Sequence, residues 1–243
     1  MENKISIGRA SELLGVSKDT LRRWDKAKKL ESFPRTEIVK HRYYKREDVD
    51  ELIKKANIFK LGWSWSSDEK GFEPYSGYYC SDFSIFNARL QRFGNELSHL
   101  QGLESIYPLI TAMVGEIGNN SFDHNIGNWA DIPGIFFAYD LSRKTIVLAD
   151  RGQGILKTLK RVKPELETPS QALYVAFTEI VTGRAPEQRG NGLKFVRRNI
   201  EKSGVKLFFQ TGNAQLRLSE RKKDLNIEEV SDFIRGCIAK IEF

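Results

Sequence analysis

Cysteine is scarce: Cys80 and Cys237 are the two thiols in 243 residues. Two thiols cannot build a disulfide framework or a four-ligand zinc site, and a reducing cytoplasm suits them. No apolar run approaches the roughly 18 to 20 residues that a membrane span needs, so a membrane-spanning protein is not expected. The opening MENKISIGRASELL puts polar residues where a secretory signal needs an apolar stretch, and export is not expected either. What remains is an ordinary globular composition, 40% hydrophobic and 29% charged, rather than a disordered one. The length suits one large domain or two small ones.

Charge is unevenly placed. Residues 1–60 hold 16 Lys and Arg against 10 Asp and Glu, a net of +6, whereas residues 61–243 hold 23 against 22. A basic block is often only a solvated face, but one confined to the first quarter of the chain suggests a polyanionic partner for that segment.

Ile7, Ala10, Leu13 and Leu14 recur at helical spacing, and Gly15 ends the run as a C-terminal glycine does. Ser17 follows as an N-cap for a second helix that buries Leu21 and Trp24 and turns Lys18, Asp19, Thr20, Arg22 and Arg23 outward. A short stretch with Pro34, Arg35 and Thr36 leads to the strand-like VKHRYY. A third helix, REDVDELIKK, carries acids in its first turn and Lys54 and Lys55 in its last, complementing the dipole. ISIGRASELLGVSKDTLRRWDKAKKL followed by RTEIVKHRYYKREDVDELI resembles the winged helix-turn-helix of the MerR family. That resemblance implies that Ser17, Lys18, Thr20, Arg22 and Arg23 lie at the major groove of double-stranded DNA, while His41, Arg42 and Tyr43 hold its backbone from the wing. A helical protein-docking module is the alternative for these residues. MerR regulators dimerise through a long helix after this domain, whereas here Leu61 to Gly77 reads as a linker.

Residues 57–82 mix Gly, Ser, Asp and Pro with Trp63, Trp65, Phe72, Tyr75, Tyr78 and Tyr79. The glycines and Pro74 argue against a long helix, and the aromatics argue against a free coil. A strand or arm folded onto a second domain is the expected form, with stacking on nucleic acid as the alternative.

In residues 83–243 a helix is expected from Ile106 to Asn125, where Ile106, Ile110, Met113 and Ile117 form an inward stripe. The same stripe then turns polar at Asn120 and His124, flanked by Glu116 and Asp123. A buried amide or acid is costly unless paired, so this is either a frayed end turned to water or part of a site. TIVLADRGQGI reads as a strand ending at Asp150 with Gly152 and Gly154 behind it. RGNGLKFVRRNIEKSG opens a helix with Gly190 and Gly192, and KLFFQTGNAQLRL reads as two strands around a Gly-Asn turn. Glycines admit a ligand close to the backbone, and helix N-termini present N–H groups to phosphate.

In this order the blocks resemble the GHKL ATPases, whose ATP site is the Bergerat fold. EIGNNSFDHN is similar to the N-box of the anti-sigma serine kinases, E-x-x-x-N-x-x-x-H, DRGQGI to the D-x-G-x-G box, and RGNGLKFV to the second glycine box. TGNAQLRL resembles the closing strands. The resemblance implies ATP and Mg²⁺ as cofactors, with Asn120 on the metal and Glu116 as general base acting on water. Asp123 and His124 lie near the phosphates; Asp150 takes the adenine amino group, assisted by Thr211; Gly152 and Gly154 clear room for base and sugar. Arg189, Gly190 and Gly192 receive phosphate, and Leu156–Arg189, with Thr182, Gly183, Arg184 and Pro186, is the expected mobile lid. His99 stands only 21 residues before Asn120, too close to be a sensor kinase's phosphoacceptor on a separate hairpin.

The expected protein is thus α+β. A winged helix-turn-helix (1–56) and an aromatic-rich linker (57–82) precede a two-layer α/β sandwich of Bergerat type (83–243). A bacterial or phage cytoplasmic regulator, binding DNA as a homodimer under control of ATP, is the expected function. An anti-sigma-like serine/threonine kinase and an ATPase subunit of a mobile-element or defence system are the alternatives.

Overall fold

The computed structural model describes residues 3–33, 41–180, 191–221 and 224–243. The chain is mixed α+β, with helices at the N-terminus and an antiparallel sheet in the C-terminal part. Among the described residues no helix is long and apolar enough to cross a membrane.

The N-terminal unit begins with β1 (Lys4–Ser6), α1 (Ile7–Leu14) and α2 (Lys18–Lys26). Both helices are capped by their own serines: Ser6 Oγ accepts from the Arg9 amide, and Ser17 Oγ accepts from the Thr20 amide. Gly15 closes α1 at φ 60°, a left-handed conformation that costs glycine nothing, and so makes the turn into α2. β2 (Tyr43–Lys45) pairs antiparallel with β1, Ile5 opposite Tyr44, and α3 (Arg46–Lys55) follows with acids first and lysines last. Pro34, Arg35 and Thr36 lie outside the described residues.

The segment expected as a strand or arm is instead opened by a helix, α4 (Ile58–Ser67), capped by Asn57. Ile58, Leu61, Gly62 and Trp65 recur at i, i+3, i+4 and i+7, and all four are buried. The glycine that argued against a helix is used for contact. A methyl group at Gly62 would lie 2.9 Å from Val147 Cγ1 and 3.2 Å from the Phe136 ring, so α4 lies close on the sheet.

That sheet has five antiparallel strands in the order β3-β4-β5-β7-β6: β3 (Tyr79–Cys80), β4 (Ile135–Asp140), β5 (Thr145–Asp150), β6 (Lys206–Leu218) and β7 (Ile227–Glu242). Its side chains alternate between two cores. Phe137, Ile146, Leu148, Phe209 and Ile241 face α5 (Phe83–Ser98), α6 (Tyr107–Asn125), α8 (Pro169–Thr178) and α9 (Gly192–Ser203). Phe136, Ala138, Val147, Ala149, Phe208 and Ile238 share the other core with α4 and with Leu13, Leu14, Leu21 and Val49 of the N-terminal unit. Because both faces are buried along β4 and β5, Ile135–Ala138 and Ile146–Ala149 read as unbroken apolar runs. The expected two-layer sandwich therefore carries a further layer.

Two more expectations change. KLFFQTGNAQLRL is one strand, β6, whose pairing with β7 shifts register at Thr211, Gly212 and Ala214, rather than a hairpin turning at Gly212. The bulge keeps both halves paired to the same partner. The expected lid contains α7 (Gly154–Leu159) and α8; α8 is packed, with Leu173 and Phe177 in the core and the Phe177 ring edge-on to Phe209 at 5.5 Å. Thr182, Gly183, Arg184, Pro186, Arg189 and Gly190 lie outside the described residues.

Enlarging the α4 contact tests its importance. Gly62→Val should destabilise the chain by about 1–3 kcal/mol, since overpacking must push α4 off the sheet. Denaturant unfolding followed by tryptophan fluorescence, with Trp63 and Trp65 on α4 itself, reads this; an unchanged midpoint would sink the assignment of α4 as a close-packed layer.

Candidate functional site

The residues expected at the DNA major groove lie on α2 and at its N-cap. Ser17, Lys18, Arg22 and Arg23 are exposed and Thr20 is half-buried. Arg22 pairs with Asp19 on the same helix, and Arg23 Nη2 donates to Thr20 Oγ1 at 3.2 Å. Exposed i,i+3 pairs of this kind are weak and can be exchanged for phosphate or base contacts. His41 is exposed, and Tyr43 is half-buried beside it at the start of β2.

Arg42 has a bracing role that the sequence did not reveal. Its Nε donates to Asp25 Oδ2 at 2.9 Å, while Ser32 donates to Asp25 through both backbone and hydroxyl at 2.8 Å. One carboxylate therefore ties the end of α2 to the approach to β2. Burial pushes the Asp25 carboxyl up, but the Ser32 donors and the Arg42 guanidinium outweigh it and hold it below the usual carboxylate range.

The C-terminal candidate site gathers at the end of β5. Asp150 is buried, and its carboxylate is surrounded by donors. Ser121 Oγ donates to Oδ2 at 2.9 Å, the Gly152 amide to Oδ1 at 2.9 Å, and Asn125 Nδ2 to Oδ1 at 3.4 Å. Burial still dominates, pushing the carboxyl up to about 6. Gly236, at φ 74°, covers it from β7: a methyl there would lie 2.3 Å from Asp150 Oδ1 and 2.7 Å from the Gly152 amide nitrogen. Thr211 Oγ1 accepts from the Ile155 amide at 3.2 Å and donates to the Gly236 carbonyl at 3.0 Å. A methyl at Gly154 would lie 3.2 Å from the same hydroxyl. Asp150, Gly152, Gly154 and Thr211, spread over some sixty positions, thus meet.

A second group lies along α6. A methyl at Gly192 would sit 2.6 Å from Glu116 Oε2 and 3.2 Å from Asn120 Nδ2, so the start of α9 abuts both side chains. The helix explains how both groups form. Glu116 and Asn120 are i,i+4 and meet α9, and Ser121 and Asn125, one step of 100° around, are i,i+4 and meet Asp150. His124 is half-buried and its carbonyl accepts from Gln153 Nε2 at 3.0 Å, which keeps the polar end of α6 ordered against the glycine loop. Asp123, also half-buried, is on the same last turn. Arg189 and Gly190 lie outside the described residues.

Sequence reasoning missed Ser121, Asn125, Gln153 and Gly236. The first two were legible as a second polar i,i+4 pair in the N-box-like segment. Gly236 carried no local signal, because its role comes from β7 pairing beside β5.

Two outcomes follow. Arg42→Ala should lower stability by about 1–2 kcal/mol near neutral pH, by leaving Asp25 without its cation. Because Asp25's folded value is depressed, that difference should fade as pH falls through it; an equal loss at pH 7 and at pH 2 would refute the brace. Asp150 has the opposite sign. Its folded value of about 6 exceeds its ordinary 3.8, so its contribution to stability falls as pH rises from about 4 to about 6. Asp150→Asn should flatten that part of the stability–pH curve, read from urea midpoints, and an unaltered slope would show that the carboxyl titrates normally.

Residues 5–57 match the family model described as "Helix-turn-helix domain". Among curated proteins, a "Type II methyltransferase M.Eco47II" from Escherichia coli is 38% identical over 63 residues, which is 26% of this chain and 15% of that protein. The chain thus spans about a seventh of the length of that relative. Its first quarter is a helix-turn-helix domain of the kind that binds DNA.

Proposed function

We propose that the chain is a DNA-binding regulator in which a Bergerat-type ATP site controls how a MerR-like winged helix-turn-helix meets double-stranded DNA. The observation that carries the reading is the convergence of Asp150, Gly152, Gly154 and Thr211 at one end of the sheet, with Glu116, Asn120 and Gly192 beside them along α6. A buried acid among glycines suits recognition of an amino-substituted base. The long Asn125 contact at 3.4 Å is the bond that such an amino group would replace. The lack of a β-carbon at Gly192 leaves α9's amides beside an acid and an amide, which suits phosphate and Mg²⁺.

On this reading Asn120 would hold Mg²⁺, Glu116 would take the proton of the attacking water, and Asp123 and His124 would orient the phosphate end. Mg·ATP would supply the transferable phosphoryl group, with ADP as the leaving group. The +6 N-terminal segment supplies the electrostatic part of DNA affinity, and a homodimer on a two-fold site supplies enough contacts for specificity. The stretch shared with the methyltransferase is too small a part of that enzyme to carry its chemistry over.

Glu116, Asn120 and His124 at i, i+4 and i+8 also favour a second reading, a serine/threonine kinase of the anti-sigma kind, acting on a partner protein. Calorimetry with Mg·ATP and gel shifts on duplexes selected by the protein, with ATP, ADP or neither, test both. Wild type should bind Mg·ATP, and Asp150→Asn should bind it at least several-fold more weakly, as a lost buried bond of roughly 1–3 kcal/mol implies. Unchanged affinity in a folded Asp150→Asn protein would remove the nucleotide site. γ-Phosphate label transferred to a partner protein would favour the kinase, and label released only as free phosphate would favour the switch.

A further inference from the structure

Arg151 stands between Asp150 and Gly152, yet the site above gives it no task. Successive residues at a strand end point to opposite sides of a sheet. Asp150 accordingly meets α6, and Arg151 meets α4. The Arg151 side chain has no exposed surface. Its Nε donates to Asp131 Oδ1 and Oδ2 at 3.1 and 3.2 Å, its Nη2 donates to Oδ2 at 2.6 Å, and its Nη1 donates to the carbonyl of Trp65 on α4. Arg235, next to the Gly236 that covers Asp150, lies 3.5 Å from the same Asp131 carboxylate. Burial pushes Asp131 up, but Arg151 and the Ile132 amide outweigh it and hold it below the usual carboxylate range. Both backbone segments that enclose Asp150 are thus tied on the far face of the sheet to one carboxylate.

A buried ion pair is weak evidence for stability, because its desolvation cost rivals its attraction; fixing a register is its better attested use. Here the register is that of α4. Trp65 follows Ser64, and a methyl at Gly15 would lie 3.1 Å from Ser64 Cβ. Gly15 is the turn that sets α2 against α1. The contacts therefore run without a break from Asp150 through Arg151 and Trp65 to the helix-turn-helix turn.

We propose that Arg151 is a positioning residue that couples occupancy of the Asp150 site to the placement of α4 and, through Gly15, of the recognition helix. The proposal rests on the nucleotide reading given above. A ligand bonded at Asp150 and Gly152 restrains the backbone on both sides of Arg151, and the guanidinium passes that restraint to the Trp65 carbonyl. Lysine keeps the charge but loses the planar fork that reaches Asp131 and Trp65 together.

The experiment uses the full chain, Mg·ATP and a duplex selected by the wild-type protein from a random library. In wild type, saturating Mg·ATP should shift DNA affinity about 5-fold or more, and DNA should shift ATP affinity by the same factor. Mg·ATP should also change hydrogen exchange of the amides in Ile58–Ser67. In Arg151→Lys both shifts should fall below about 2-fold and the exchange change should vanish, while each ligand alone still binds within about 2-fold of wild type. If Arg151→Lys does not fold, the Arg151→Met/Asp131→Asn protein removes the buried charge and its partner together, leaving only the partly exposed Arg235 without Asp131, and should show the same loss. Full coupling in either folded variant overturns the relay. A wild type that binds Mg·ATP with no response at α4 or DNA overturns it too but leaves the nucleotide site standing, whereas no ATP binding at all removes the site and the relay with it.

Discussion

A sheet with apolar side chains on both faces must be covered twice, and that requirement organises the molecule. α5, α6, α8 and α9 cover one face. The other would expose Phe136, Val147, Phe208 and Ile238 to water, at roughly 25 cal/mol for each Å² of apolar surface left wet. α4 covers it, and α4 follows the helix-turn-helix domain directly in the chain. The N-terminal unit is consequently not tethered by a free linker: Leu13, Leu14 and Val49 belong to the same apolar cluster as the back of the sheet. A segment whose glycines argued against a long helix is the layer that fixes one half of the protein to the other.

The end of β5 carries the opposite kind of constraint. Asp150 is a carboxyl held out of water, and burial pushes its pKa up because the charged form is disfavoured there. Donors from α6 and from the glycine loop offset part of the cost, and Gly236 can approach because it has no β-carbon. Polar groups kept in an apolar setting against such a cost are the ones from which functional sites are made. The neighbouring Arg151 repeats the pattern on the other face, with Asp131 in place of the donors. One dipeptide thus anchors polar clusters on both sides of the sheet.

In the helix-turn-helix domain the constraint is local. Ser6 and Ser17 cap their helices, Gly15 makes the turn, and Asp25 gathers Ser32 and Arg42. Lys18, Arg22 and Arg23 are left at the surface, and Arg22 and Arg23 meet Asp19 and Thr20 of their own helix in contacts that cost little to exchange. Arg42, expected from the resemblance to hold the DNA backbone from the wing, is also committed to holding the domain's own shape through Asp25.

Elements whose cause lies within a few residues were legible in the sequence. Gly15 ends α1 and Ser17 starts α2 because caps act locally. α6 shows in the spacing of Ile110, Met113 and Ile117, and its polar end shows in Asn120 and His124 interrupting that spacing. β5 shows as TIVLAD. Elements whose cause is contact between distant segments were not legible. Gly62 looks like a helix breaker until Val147 is placed 2.9 Å from where its side chain would begin. Gly212 looks like a hairpin turn until β7 is found pairing on both sides of it. Arg151 carries no local signal of its partners; Asp131 and the Trp65 carbonyl are brought to it from distant segments. Local spacing records a helix or strand because one face repeats along the chain; which face meets which, and what a buried charge is paired with, is decided only when the tertiary structure closes the sheet on both sides.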